Sequence, residues 1–102
     1  MIIVLSTYPD RKSAEEAAGM LVEKRLAACV SMVKIEQSVY RWKGKIEKSP
    51  EYLLIIKTTE KAYPRLETRI RRTHPHKVPE IVRLDVKGGN KKYINWVARL
   101  GS

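Results

Sequence analysis

The sequence predicts an α+β sandwich with the element order β-α-β-β-α-β and one further helix at the C-terminal end. Three observations predict it. The apolar period switches between strand and helix values in that order along the chain. Two long stretches of period two meet at Trp42-Lys43-Gly44-Lys45, a hairpin signal. The 102 residues, 43% of them apolar, supply one core and leave no room for a second, so residues 1–102 are read as one domain.

Ile2-Ile3-Val4-Leu5 is a short bulky run suited to a strand buried on both faces. Tyr8-Pro9-Asp10 breaks it, and Asp10 or Ser13 can cap the helix that follows; Ser13 with Glu16 has capping-box spacing. Ala14, Ala17, Ala18, Leu21, Val22 and Leu26 form that helix's apolar stripe. Gly19 inside it costs about 1 kcal/mol against Ala unless close packing needs the missing side chain. From Cys29 the period becomes two, with a phase slip before Val39 that predicts a bulge or bend. The return strand runs from Ile46 to Lys57 and is interrupted at Ser49-Pro50; Pro50 cannot donate to a ladder and belongs at an edge or bulge.

Thr59 to Thr73 reads as the second helix, with Tyr63, Leu66 and Ile70 inward and Lys61, Arg65, Arg69 and Arg72 on another face. The two prolines of His74-Pro75-His76-Lys77-Val78-Pro79 demand a loop. Val82, Leu84 and Val86 alternate with Arg83 and Asp85, a fourth strand with one wet face, and Asn90 caps a last helix carrying Tyr93, Trp96, Val97 and Leu100 on one side. This order is the split βαβ, or ferredoxin-like, arrangement, with helices on one sheet face only. The two long strands carry apolar residues in both phases, more than one helical layer covers. The open face or a sheet edge is therefore expected to be buried against other copies of the chain, in a ring that closes.

Composition narrows the function. A single cysteine excludes an intramolecular disulfide and a Cys-based zinc knuckle. An apolar run such as Tyr52 to Ile56 is far too short to cross a bilayer, and the N-terminus lacks a signal-peptide pattern, so no membrane partner is expected. Twenty-one Lys and Arg against eleven Asp and Glu give +10, which attracts nucleic acid or other polyanions without specificity. High charge with side-chain amides only at Gln37, Asn90 and Asn95 is a thermostable type of composition. There is no P-loop, no pair of catalytic carboxylates and no Ser-His-Asp order, so no enzyme is expected.

Several segments together carry a specific likeness. They are Arg25-Leu26-Ala27-Ala28-Cys29-Val30, Ser38-Val39-Tyr40-Arg41-Trp42-Lys43-Gly44-Lys45-Ile46-Glu47, Leu54-Ile55-Ile56-Lys57-Thr58, His74-Pro75, Pro79-Glu80-Ile81, and Gly89-Asn90 with Tyr93 and Trp96. In that order the chain resembles the CutA family, the divalent-cation-tolerance proteins. The resemblance implies a ferredoxin-like subunit, an interlocked homotrimer, a cytoplasmic setting, and a link to metal-ion response and copper binding. It implies no catalytic reaction. Three departures stand out: Ser31 where the family usually has Asn, His76 where it usually has Tyr, and a basic charge where members are commonly acidic.

The candidate metal residues are Cys29, His74, His76 and Glu80. A thiolate suits Cu(I), imidazoles suit Cu(II), and Glu80 adds a carboxylate. No cofactor is obligatory; copper or another divalent cation is the possible one. The bland reading makes Cys29 a small buried hydrophobe and the histidines turn residues. The candidate ligand-binding residues are Tyr40, Trp42, Lys57 and Glu80. Lys57 closes an apolar strand, and its cation needs a carboxylate, an anionic ligand or an exit to solvent. A cleft between subunits then holds either a small anion or an intersubunit salt bridge. Tyr40 and Trp42 on one strand phase have the placement of base-stacking aromatics, although trimer packing serves them equally and no RNP consensus accompanies them.

Overall fold

A computed structural model describes residues 1–101 of the chain. The elements run β1 (Ile2–Tyr8), α1 (Arg11–Glu23), β2 (Cys29–Trp42), β3 (Lys45–Thr58), α2 (Tyr63–Thr73), β4 (Val82–Asp85) and α3 (Lys91–Ala98). The four strands form one sheet in the order β2-β3-β1-β4, with every neighbouring pair antiparallel. This is the expected ferredoxin-like topology with its extra helix.

Parity decides which side chains meet the helices. Ile2, Val4, Ser6 and Tyr8 of β1 sit opposite Thr58, Ile56, Leu54 and Tyr52 of β3, and directly paired residues point to the same face. On that face Ile2, Val4, Tyr8, Leu54 and Ile56 pack with Ala14, Ala17 and Leu21 of α1 and with Leu66 and Ile70 of α2 to make the core. The other phase, including Ile3, Leu5, Leu53 and Ile55, is only half-buried. Within one subunit β1 is therefore buried on one face, not on both.

Two local readings change. Asp10 alone caps α1: its backbone is still extended (φ −144°, ψ 161°) and its side chain accepts from Ser13 N–H at 2.7 Å. Ser13 already lies inside the helix, so it cannot be the cap. The second helix begins at Tyr63 because Thr59 to Ala62 form a separate turn, in which the Thr59 hydroxyl accepts from Ala62 N–H at 3.0 Å. Asn90 caps α3 as expected, accepting from Lys92 N–H at 3.0 Å. Gly19 is exposed, and a Cβ there would meet nothing within 4 Å, so no close packing explains it.

The phase slip in β2 is a bulge. Ile35 pairs Glu51 and Ser38 pairs Ser49, so Glu36 and Gln37 together oppose Pro50. Here the missing N–H of Pro50 falls where the ladder is already broken. Beyond the bulge the hairpin leaves the sheet, since β1 accompanies β3 only from Tyr52 to Thr58. Ser38–Trp42 and Lys45–Ser49 run on as a two-stranded arm, closed at Lys43 (φ 50°) and Gly44 (φ 79°). Positive φ at both loop residues is the turn geometry whose twist matches a hairpin. The arm stretches the molecule to 45 × 25 × 21 Å.

Strand β4 corrects another expectation. Val82 and Leu84 face away from the helices, paired with Leu5 and Ile3, and are 45% and 52% exposed. The wet residues sit under the helical layer instead: Arg83 lies 5.0 Å over the Tyr63 ring and reaches Asp85 at 2.8 Å. The open face is thus the apolar one, and the arm continues it with Val39 and Ile46 more than half exposed.

Candidate functional site

The open face carries one polar island. Cys29, Lys57 and Ile3 form a row across β2, β3 and β1, and Ser31 lies two residues on from Cys29 in the same phase. Lys57 Nζ donates to Ser31 Oγ at 2.6 Å and stands 3.9 Å from Cys29 Sγ. All three are half-buried, and the thiol is free. None of the ion pairs among the described residues involves Lys57. A half-buried ammonium with only a hydroxyl and a thiol for company attracts an anion and opposes a cation at Cys29. Ser31 is the residue that sequence reasoning left out of the site. Its signal was parity with Cys29, together with its being Ser where Asn is usual.

His74 belongs to a different corner. It follows α2, and its Nδ1 accepts the His76 backbone N–H at 3.0 Å. The ring proton therefore sits on Nε2, which donates to the Thr7 carbonyl at 2.8 Å. The ring also packs on Tyr8, with centroids 4.3 Å apart. Burial pulls the His74 pKa below the ordinary histidine value; the Thr7 carbonyl opposes that shift and His76 adds to it. Both ring nitrogens are in use, which makes His74 a latch between β1 and the following loop.

The structure does not bring the proposed metal residues together within one subunit. Thr7, which anchors His74, lies four residues along β1 from Ile3, the neighbour of Lys57 and Cys29. That separation is roughly 13 Å along the strand, far beyond metal–ligand distances of about 2.0–2.3 Å. Among the described residues no group of three His, Cys, Asp or Glu side chains is placed to hold a metal ion. His76 and Glu80 are both exposed, on the loop between α2 and β4. Tyr40 and Trp42 sit on the arm, opposite Glu47 and Lys45. At ten residues along β3 from Glu47, Lys57 is on the order of 30 Å from Tyr40. Only another copy of the chain can bring the arm aromatics to Lys57.

Together these features define a small ferredoxin-like protein whose two longest strands run out into a hairpin arm and whose apolar sheet face is left open. Residues 2–100 match the family described as CutA1 divalent ion tolerance protein, and the chain belongs to that family. It is 45% identical over 95 residues to the divalent-cation tolerance protein CutA of Thermus thermophilus, covering 93% of this chain and 92% of that one. It is 46% identical over 91 residues to protein CutA of Mus musculus, covering 89% of this chain but 51% of that one, so it spans about half the length of the mouse relative. The solved structure of the divalent cation tolerance protein from Thermus thermophilus superposes with a TM-score of 0.93 at 43% identity, covering 100% of both chains.

Proposed function

We propose that the protein is a non-enzymatic cytoplasmic homotrimer that serves divalent-cation tolerance by binding copper-like ions. The observation that carries the assembly is the uncovered apolar surface: Val33, Val82 and Leu84 on the open face, then Val39, Trp42 and Ile46 on the arm, each 44% or more exposed. A contiguous patch of this kind marks an interaction surface. Edge-to-edge pairing of identical subunits must close into a ring, and kinship with CutA sets the number at three. Light scattering at dilution is expected to give the trimer mass; a stable single-chain particle overturns the reading.

The ion is held between copies in this reading, because Cys29 and the loop residues His76 and Glu80 lie apart in one subunit. His74, with both nitrogens engaged, drops out of the set unless the His76 N–H bond opens. At +10 the protein repels free divalent ions, so affinity comes from soft donors such as the thiolate and not from the overall field. Equilibrium dialysis with Cu(II) is expected to lose stoichiometry in Cys29→Ala and to keep it in His74→Ala. Equal stoichiometry in Cys29→Ala and wild type removes Cys29 from the site.

Lys57 favours a second reading, a scaffold trimer holding a small anion. Its ammonium faces Ser31 and Cys29 with no carboxylate in an ion pair, and a neighbour's arm supplies Tyr40 and Trp42 as walls. A thermal shift with a small organic acid that vanishes in Lys57→Met supports it, and no shift with any of a panel of such acids ends it.

A further inference from the structure

A second cluster of charge lies on the opposite side of β3's end from the Cys29 row, where the ends of all three helices meet. A cleft of about 330 Å³ is lined there by Arg25, Lys61, Arg65 and Arg99, with Thr59 and Ala62 beside them. Four formal cations line it and no carboxylate does. The nearby acids are engaged elsewhere: Glu60 reaches Arg83 at 3.4 Å and Glu67 reaches Arg71 at 3.7 Å. The N-terminal end of α2 opens into the cleft with no acidic residue in its first turn, so its positive dipole end adds to the four side chains.

Backbone geometry shapes the same place. Arg25 and Leu100, each one residue beyond a helix C-cap, hold φ of 58° and 55°. Glycine is the residue that takes such a position without strain. Both instead carry side chains that line the cleft, and Arg25 Nη2 donates to the Arg99 carbonyl at 3.3 Å across it. The arrangement fixes basic side chains around a concave space at the small end of ligand-sized pockets.

We propose that this cleft is a binding site for a compact multivalent phosphate, of the diphosphate or triphosphate type. Convergence of four cations on one concave space suits a short chain of linked phosphates, whose charges lie close together. An extended nucleic-acid strand would instead be tracked along a row, as by Arg69 and Arg72 further down α2. The site is separate from Lys57 and from any ion at Cys29, and it stands whether or not the metal reading does.

The test is isothermal titration of the intact protein with sodium tripolyphosphate at low and physiological salt. The paired change Lys61→Gln with Arg65→Gln is expected to weaken binding at least tenfold. Arg69→Gln with Arg72→Gln, removing the same charge from the same helix outside the cleft, is expected to change it less than threefold. All four positions are exposed, and circular dichroism confirms that each variant is folded. Equal losses in the two double variants overturn the proposal, because only the overall charge would then matter. Loss in Lys57→Gln with none in the Lys61/Arg65 variant overturns it too, by moving the site to the open face. So does tight binding of a single-stranded oligonucleotide with no measurable heat from tripolyphosphate.

Discussion

Replacing Trp42 with Ser probes the proposed assembly at its most exposed anchor. Trp42 forms the last pair of the arm, opposite Lys45, and 59% of it is exposed. A Trp side chain buries on the order of 150–250 Å², so this fraction leaves roughly 90–150 Å² for a neighbouring copy to cover. At about 25 cal/mol per Å² that surface contributes about 2–4 kcal/mol per subunit when fully covered. Each 1.4 kcal/mol is tenfold, so Trp42→Ser is expected to raise the dissociation constant roughly 30- to 500-fold per interface. The subunit's own stability should change by less than about 0.5 kcal/mol, as for an ordinary surface position. Sedimentation equilibrium over a dilution series of both proteins reads the difference. An unchanged dissociation midpoint in the variant would mean that the arm tip contributes nothing to association, and the argument from exposed apolar area would fail with it.

Three further outcomes follow from single positions. Gly19→Ala is expected to stabilise the protein by about 0.5–1 kcal/mol in urea unfolding, through helix propensity and a stiffer unfolded chain; destabilisation would show that a neighbouring copy packs where Gly19 is open. Gly44→Ala, at φ 79°, is expected to cost about 1–2 kcal/mol and to speed amide exchange along the arm and not in the core; uniform exchange would refute that localisation. His74, whose folded pKa is lowered, favours the fold when neutral. Its stability contribution is complete above the ordinary value of about 6.5 and declines as pH falls from there toward the lowered folded pKa, by at most about 1.4 kcal/mol per pH unit. Denaturation midpoints from pH 7.5 to 5 should show this slope in wild type and lack it in His74→Gln.

Features written in neighbouring residues were legible in the sequence, and features that depend on register were not. The bulge showed itself because Val39 breaks the parity that Val33 and Ile35 set, and Pro50 stood ready to mark the same place on the partner strand. The hairpin turn, the Asn90 cap and the loop after His74 were readable for the same reason. Ser13 misled because its spacing to Glu16 suits a cap, whereas the backbone actually turns into the helix at Asp10. Val22 fitted the apolar stripe of α1 and yet is 44% exposed, since the sheet beneath does not extend to that flank.

At the candidate site, the residue types were legible and the partners were not. Lys57 was suspect as a cation ending an apolar strand, but its bond to Ser31 spans 26 positions and appears only once β2 and β3 are in register. His74 was a plausible ligand by chemistry. Its latch on Thr7 spans 67 positions, and nothing local announces it. The cleft of four cations gathers residues from three helix ends, so the sequence shows only a generally basic chain.

The overhanging hairpin ties subunit concentration to durability. An isolated two-stranded ribbon is marginal in water, and nothing in its own chain braces the stretch from Ser38 to Ser49. Mass action then governs the tip: neighbours bound only to the native form add stability as protein is added. In dilute solution the ribbon frays and offers proteases a cut site well before the core opens. A melting temperature for this protein therefore has meaning only beside the molarity at which it was taken.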